Sequence, residues 1–408
     1  MTLMVVGIAT PAAVALTRET DLAQIQAEVE KIRQQTLLEP ITPVSLDRVQ
    51  LRERLISQLR ETGFGERLQR GARAQIGLGL MPAGTRVVPL ALDGATVGLV
   101  GFYDPGRDEL VLIGDDDELG AAEEWTYAHE IVHAIQDQRL DLDGLFADRL
   151  MASGDTQLAY SALIEGDASL VDQAYLADHP ELRLGLLGQA IGVMSNSVGL
   201  GGAPPVLVHA GIFPYVDGAV FVRAVRDGGG WLAVDAAYLD PPTSTEQILH
   251  PERYLTRDEP TLVDLPDPTR LGSAWTQVHI DTLGELQIAV FLAGQVEPET
   301  FAMLPPKASE AAVGWEGDRY ALWTDGADEV TVWRSVWENE AEAARFSTGL
   351  QGAEGTRLET NWVPDNDDRS ALTTEGRTAV IERDGAEVRY VVAPSRQLAD
   401  RALLAVAR

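Results

Sequence analysis

Apolar positions recur with helical spacing through much of the chain. Ile25, Val29 and Ile32 share one face between Leu22 and Thr36, which predicts an amphipathic helix ended by Pro40 and Pro43. Leu51, Leu55 and Leu59 repeat the pattern, with Ser45 as the expected cap. The stretch VVPLALDGATVGLVGFYDPGRDELVLIG reads as strand-rich, and DPGRD at Asp104 to Asp108 reads as a hairpin turn. Helical patterns return from Trp125 to about Gln138 and from about Thr156 to Leu176. A helix is expected to start after Pro214 and stop at Gly228 to Gly230. Thr243 and Ser244 precede Glu246 and Gln247 by three residues, a capping-box pattern.

Beyond about residue 300 the texture changes to strand, turn, strand, helix, then a hairpin at Asp384-Gly385 and a closing helix. The expected fold class is α+β. Residues 1–18 form an apolar leader. Residues 19–299 form the main domain, with helices and hairpin at 19–115 and further helices at 116–299. A small α+β unit follows at 300–408. Trp315, Trp323, Trp333 and Trp337 are expected inside that unit, as core or sheet aromatics.

Composition narrows the possible chemistry. The chain has 408 residues and a formal net charge of −31, so a nucleic-acid partner is excluded by the lack of a basic face. No run approaches the ~20 apolar residues of a membrane span. The leader, with Ala13-Val14-Ala15 as an A-x-A site, points to export or the cell envelope, although its basic n-region is missing. The alternative is a buried strand in a cytoplasmic protein. Cysteine is absent, so a metal site must use histidine and carboxylates.

Two of the six histidines stand in TYAHEIVHAIQDQ. His129 and His133 are four apart, hence on one helix face, and both imidazoles can reach one Zn²⁺. Glu130 is placed to act as general base and then acid toward a metal-activated water. The competing reading is an ordinary buried helix whose imidazoles bond backbone carbonyls. A third ligand is expected on a following helix, and ALIEGDASL is the best window. Glu165 is preferred as ligand, with Asp167 behind it orienting a histidine N–H. Against this, Glu165 could be an ordinary solvated acid. His250 is read as an oxyanion group or a helix C-cap cation. Leu99 to Tyr103 could pair with an extended peptide.

The segment HEIVHAIQD resembles the H-E-x-x-H-A-x-x-D signature of thermolysin-like gluzincins, with His129, Glu130 and His133 matching and Asp137 closing the motif as a supporting residue. EGDA resembles that clan's third-ligand helix, with Glu165 at the zinc glutamate, but residues 134 to 164 make an unusually long spacer. FPYVDGAVFVRAV resembles its Y-x-x-G segment, which implies Tyr215 as oxyanion donor. H-A-x-Q-D-Q, E-G-D-A and S-T-E-Q-I-L-H-P in this order are similar to a group of poorly characterised bacterial and archaeal zinc metallopeptidases, over about residues 98 to 255. The resemblance implies a zincin-like core, zinc, and a peptide or protein substrate. Endopeptidase action is favoured because no G-x-M-E-N-type motif for a substrate N-terminus is present. The alternative is a non-catalytic zincin-fold module for binding or envelope association.

Overall fold

The computed structural model describes residues 18–114, 120–140, 142, 152–183, 203–294 and 306–407. The apolar leader, the acidic stretch 115–119, most of the 139–155 loop, the glycines at 199–202 and the boundary placed at 300 lie outside them. Among the described residues the chain is α+β.

The first part runs α1 (Arg18–Arg33), β1 (Val44–Leu46), α2 (Arg48–Glu61), α3 (Phe64–Leu78), α4 (Val87–Gly98), β2 (Gly101–Asp104) and β3 (Glu109–Ile113). Next come α5 (Ala121–Leu140), α6 (Gly154–Asp178), α7 (Pro205–Leu239), α8 (Thr245–Leu249) and α9 (Pro251–Thr256). The three strands form one sheet in the order β1-β3-β2, with β1 parallel and β2 antiparallel to β3. The expected hairpin turns at Pro105–Arg107, and Asp108 takes a left-handed conformation (φ 51°).

Three local expectations are corrected. Val87–Gly98 is a helix, not a strand. Pro89 falls in its first turn, where the missing N–H costs nothing, so proline and an apolar run together start a helix. Asp47, not Ser45, caps α2, with Gln50 completing a capping box, because residues 44–46 are held in β1 by Val111 to Ile113. The helix expected after Pro214 begins at Pro205 and contains Pro214. At Gly229 and Gly230 it kinks (Gly230 φ 70°, ψ −167°) and continues to Leu239. By length and composition this helix could cross a membrane, but it is broken by that kink and 39% of its most apolar window is buried within the protein.

The last part contains β4 (Thr276–Asp281), α10 (Gly284–Ala293), α11 (Pro306–Ala312), β5 (Trp315–Thr324), β6 (Glu329–Trp337), α12 (Glu340–Arg357), β7 (Val363–Pro364), β8 (Arg369–Thr374), β9 (Arg377–Asp384), β10 (Glu387–Ala393) and α13 (Arg396–Val406). Its seven-stranded sheet has the order β4-β5-β6-β10-β9-β8-β7. The sheet therefore reaches upstream of 300: β4 pairs with β5 from Thr276↔Thr324 to Asp281↔Tyr320. This edge strand is only partly buried, so its apolar alternation is weak in sequence. Trp315, Trp323, Trp333 and Trp337 are all buried. Trp315 and Trp333 both donate their indole N–H to the buried Asp318 at 3.0 Å. Leu283 and Gly284 add their amides to the same carboxylate, tying the start of α10 to the sheet.

Helices α6 and α7 pack backbone to backbone. A Cβ on Gly166 would lie 2.2 Å from the Gly218 carbonyl oxygen, and one on Gly218 would lie 2.3 Å from that of Ala162. Neither is tolerable without separating the helices. Gly218→Ala is expected to destabilise the protein by roughly 1–3 kcal/mol, as other overpacking substitutions do. Gly352→Ala, in α12 with open space around it among the described residues, is expected to be neutral or stabilising by up to ~1 kcal/mol. Thermal melts of the two variants check this. Equal melting temperatures would contradict it.

Candidate metal centre

The motif helix α5 is embedded on several sides. Leu22, Ile25 and Val29 of α1, Tyr103, Leu110 and Leu112 of the hairpin, and Ala168, Val171 and Tyr175 of α6 form one core with its Tyr127, Ile131 and Ile135. His129, Glu130 and Glu165 are buried, and His133 is nearly so. The solvated-acid reading of Glu165 does not hold.

His129, His133 and Glu165 each turn one ligand atom to a common point. The Nε2 atoms of the two histidines are 3.1 Å apart. Glu165 Oε2 lies 3.2 Å from His129 Nε2 and 3.4 Å from His133 Nε2. Tetrahedral zinc with bonds of ~2.0–2.1 Å sets its donor atoms ~3.3 Å apart. The triangle therefore has the size of one face of such a coordination shell.

The proton inventory gives a second test of fit. Gln136 Nε2 donates to the Ile164 carbonyl and to Asp167 Oδ2, both at 3.1 Å. Both partners are acceptors, so the amide orientation is fixed and Gln136 Oε1 faces His133 Nδ1 at 2.9 Å. His133 must then carry its proton on Nδ1. His129 Nδ1 meets Asp172 Oδ2 at 2.8 Å, which fixes the same tautomer. As neutral rings, both imidazoles aim bare Nε2 lone pairs at each other and at a carboxylate oxygen. Three acceptors without a shared proton repel unless a cation joins them. The residues present fit a divalent ion of the zinc type.

The titration directions agree. Against burial, Asp172 and Glu165 raise His129 well above the usual histidine value, and Glu165 raises His133. Despite burial, His133 and His129 hold Glu165 far below the usual carboxylate range. Without a metal, protons do the bridging. Glu130 behaves differently: burial pushes its pKa up, opposed by the two histidines. Its Oε2 accepts the Tyr103 amide of edge strand β2 at 2.7 Å.

Tyr215 also reaches the site. Its ring centroid is 6.1 Å from that of His129, and the phenol lies close enough to Glu165 to feel its charge. Burial, reinforced by Glu165 and Glu130, pushes the phenol pKa well up, so it remains a proton donor. The Gly166–Gly218 contact explains the placement. Tyr215 lies one turn before Gly218, on the α7 face drawn against α6 beside Glu165.

The supporting residues are distributed differently from expectation. Asp167 touches no histidine directly. It accepts from Arg33, Gln136 and Tyr238, and reaches His133 only through Gln136. Asp137 accepts the Tyr103 hydroxyl at 2.9 Å and so anchors the strand that holds Glu130. His250 is placed elsewhere: it C-caps α8, and its Nε2 is 3.0 Å from Glu285, whose hydrogen bond raises its pKa. Sequence reasoning missed Asp172 and Gln136. Asp172 is seven residues from Glu165, two turns along the same face, and that spacing was the available signal. Gln136 is three residues from His133.

Residues 271–403 match the model of a family described as a domain of unknown function (DUF8575). The match covers the seven-stranded sheet and its helices, and stops short of the metal cluster. A search of curated proteins finds no match.

Two outcomes are expected. Asp172→Asn should weaken zinc binding by about 10–100-fold, the usual cost of losing the partner of a ligating histidine, as read by competition with a chromogenic chelator. Because both histidine pKa values are raised, zinc must displace protons above the ordinary histidine range. Apparent affinity should rise with pH through that range, with protons released on binding. Calorimetry in buffers of different ionisation enthalpy would show it, and uptake without proton release would contradict the proton-bridged state of the metal-free cluster.

Proposed function

We propose that the chain is a zinc-dependent peptide-bond hydrolase with a zincin-like catalytic core and gluzincin ligands His129, His133 and Glu165. The observation that carries this reading is the triangle of three acceptor atoms 3.1–3.4 Å apart, with a second acid, Glu130, on the helix that carries the two histidines. A purely structural site needs no such acid, and structural zinc sites usually have four protein ligands.

A zinc ion held there supplies Lewis acidity, polarising a carbonyl and acidifying water. The remaining roles belong to this chain. Glu130 accepts a proton from the attacking water and passes it to the leaving amine. Its burial-raised pKa brings it closer to the range in which a carboxylate can do both. The Tyr103 amide fixes one carboxylate oxygen, so Glu130 is oriented before substrate arrives. Tyr215, kept protonated, donates to the carbonyl oxygen as negative charge develops. Strand β2 is the sheet edge adjoining Glu130, where an extended peptide would pair. The substrate is thus a peptide or protein, and internal cleavage is favoured.

The decisive experiment compares the wild-type chain with Glu130→Gln on a mixed peptide library. Zinc content should be unchanged, and hydrolysis should fall by about 10²–10⁴-fold. Equal product patterns from the two proteins, or a wild-type chain that takes up no zinc, would sink the reading. Zinc uptake with no Glu130-dependent cleavage would support the binding-module alternative.

A further inference from the structure

Arg33 is the last residue of α1, far in sequence from the metal cluster, and it is only 1% exposed. A buried guanidinium is costly unless paired. Its Nε and Nη2 reach both oxygens of Asp167, at 2.8 and 3.1 Å. Nη2 also reaches Asp235 at 2.6 Å, and the guanidinium lies 4.6 Å from the centre of the Trp231 ring. This fork leaves the Asp167 carboxylate one orientation. In it, Oδ2 accepts the Gln136 amide at 3.1 Å and the Tyr238 hydroxyl at 2.9 Å. Gln136 in turn accepts the Nδ1 proton of His133.

We propose that α1 is a working part of the metal centre: Arg33, acting through Asp167 and Gln136, fixes the tautomer and orientation of His133 and so sets the affinity for zinc. The proposal rests on the metal reading above. The physical step is the Gln136 amide. Its two ends differ only in donor or acceptor character, and its direction is set by what its NH₂ meets. With Arg33 in place, the NH₂ meets the Asp167 oxygen and the Ile164 carbonyl. Without it, the Asp167 carboxylate is free to turn away, and the amide can flip and present its NH₂ to His133 Nδ1. Nδ1 must then accept, the proton moves to Nε2, and the lone pair needed by the metal is lost. Arg33 and Gln136 are positioning residues, since neither touches the ligand triangle.

The test is zinc affinity of the full chain, measured by competition with a chromogenic chelator. Gln136→Leu should bind about 10–100-fold more weakly than wild type, as for other groups that support a ligating histidine. Arg33→Met should show a loss of about tenfold or more. The control is Val29→Ala, a core truncation on the same helix with no part in the relay. It should lower the melting temperature yet keep wild-type zinc affinity. Wild-type affinity in both relay variants would overturn the proposal, and so would a loss in Val29→Ala equal to that in Arg33→Met. If Arg33→Met does not fold, Gln136→Leu decides. A second readout needs no metal: imidazole ¹⁵N shifts of the metal-free protein, followed to a pH at which the ring is neutral, should show the His133 proton on Nδ1 in wild type and displaced toward Nε2 in both variants. If the wild-type chain binds no zinc, the metal reading fails while this tautomer measurement still judges the relay.

Discussion

Three lone pairs converging in a water-poor interior form the constraint around which this part of the protein is organised. His129 Nε2, His133 Nε2 and Glu165 Oε2 sit closer together than uncompensated acceptors tolerate at low dielectric. The surrounding structure enforces the arrangement instead of relieving it. Asp172 and Gln136 hold the ring protons on the far side, and the fold around α5 prevents the rings from turning out to water. Such an arrangement is stable only with a positive charge at its centre, either a proton or a metal ion. That competition would make the proposed metal centre sensitive to pH.

Positioning these groups requires close helix approach, and that requirement accounts for the sequence around the ligands. Glu165 is followed by Gly166, and Tyr215 precedes Gly218 by three residues. The two glycines face each other, so removing both Cβ atoms draws α6 and α7 together. One approach thus places a carboxylate and a phenol at the same point. On the opposite flank, the Tyr103 amide reaches Glu130 while its hydroxyl is anchored by Asp137. Strand β2 and helix α5 are therefore joined at both ends of a single tyrosine.

The extent to which the sequence exposed this depends on the range of each signal. The histidine pair, its helix, and the helix carrying Glu165 were legible because helical periodicity is local. The hairpin at Asp104–Asp108 and most of the strands after residue 314 were legible for the same reason. Strand β4 was not, because a half-exposed edge leaves little alternation. Helix α4 was misread because Val-Val-Pro-Leu favours a strand by composition, and only the location of Pro89 in a first turn reverses the reading. Asp167 was placed correctly near the centre but given the wrong neighbour. Which carboxylate meets which imidazole is decided by the crossing of two helices, and no local pattern records that. Arg33 was invisible for a stronger reason: its partner Asp167 lies 134 residues away.

Comparison with the protein's own buried acids argues that the cluster differs from ordinary packing. The chain has far more acids than bases, and several of its interior carboxylates are matched to donors. Asp318 receives two backbone amides and two indole N–H groups. Glu354 is met by Arg357, Arg377 and the Tyr390 hydroxyl. Asp167 has Arg33, Gln136 and Tyr238. Glu165 is equally buried, but it faces two imidazole nitrogens that, in the tautomers their other partners impose, carry no proton for it. What sets Glu165 apart from these acids is its place between two histidine Nε2 atoms, and that placement is what the proposed metal reading requires.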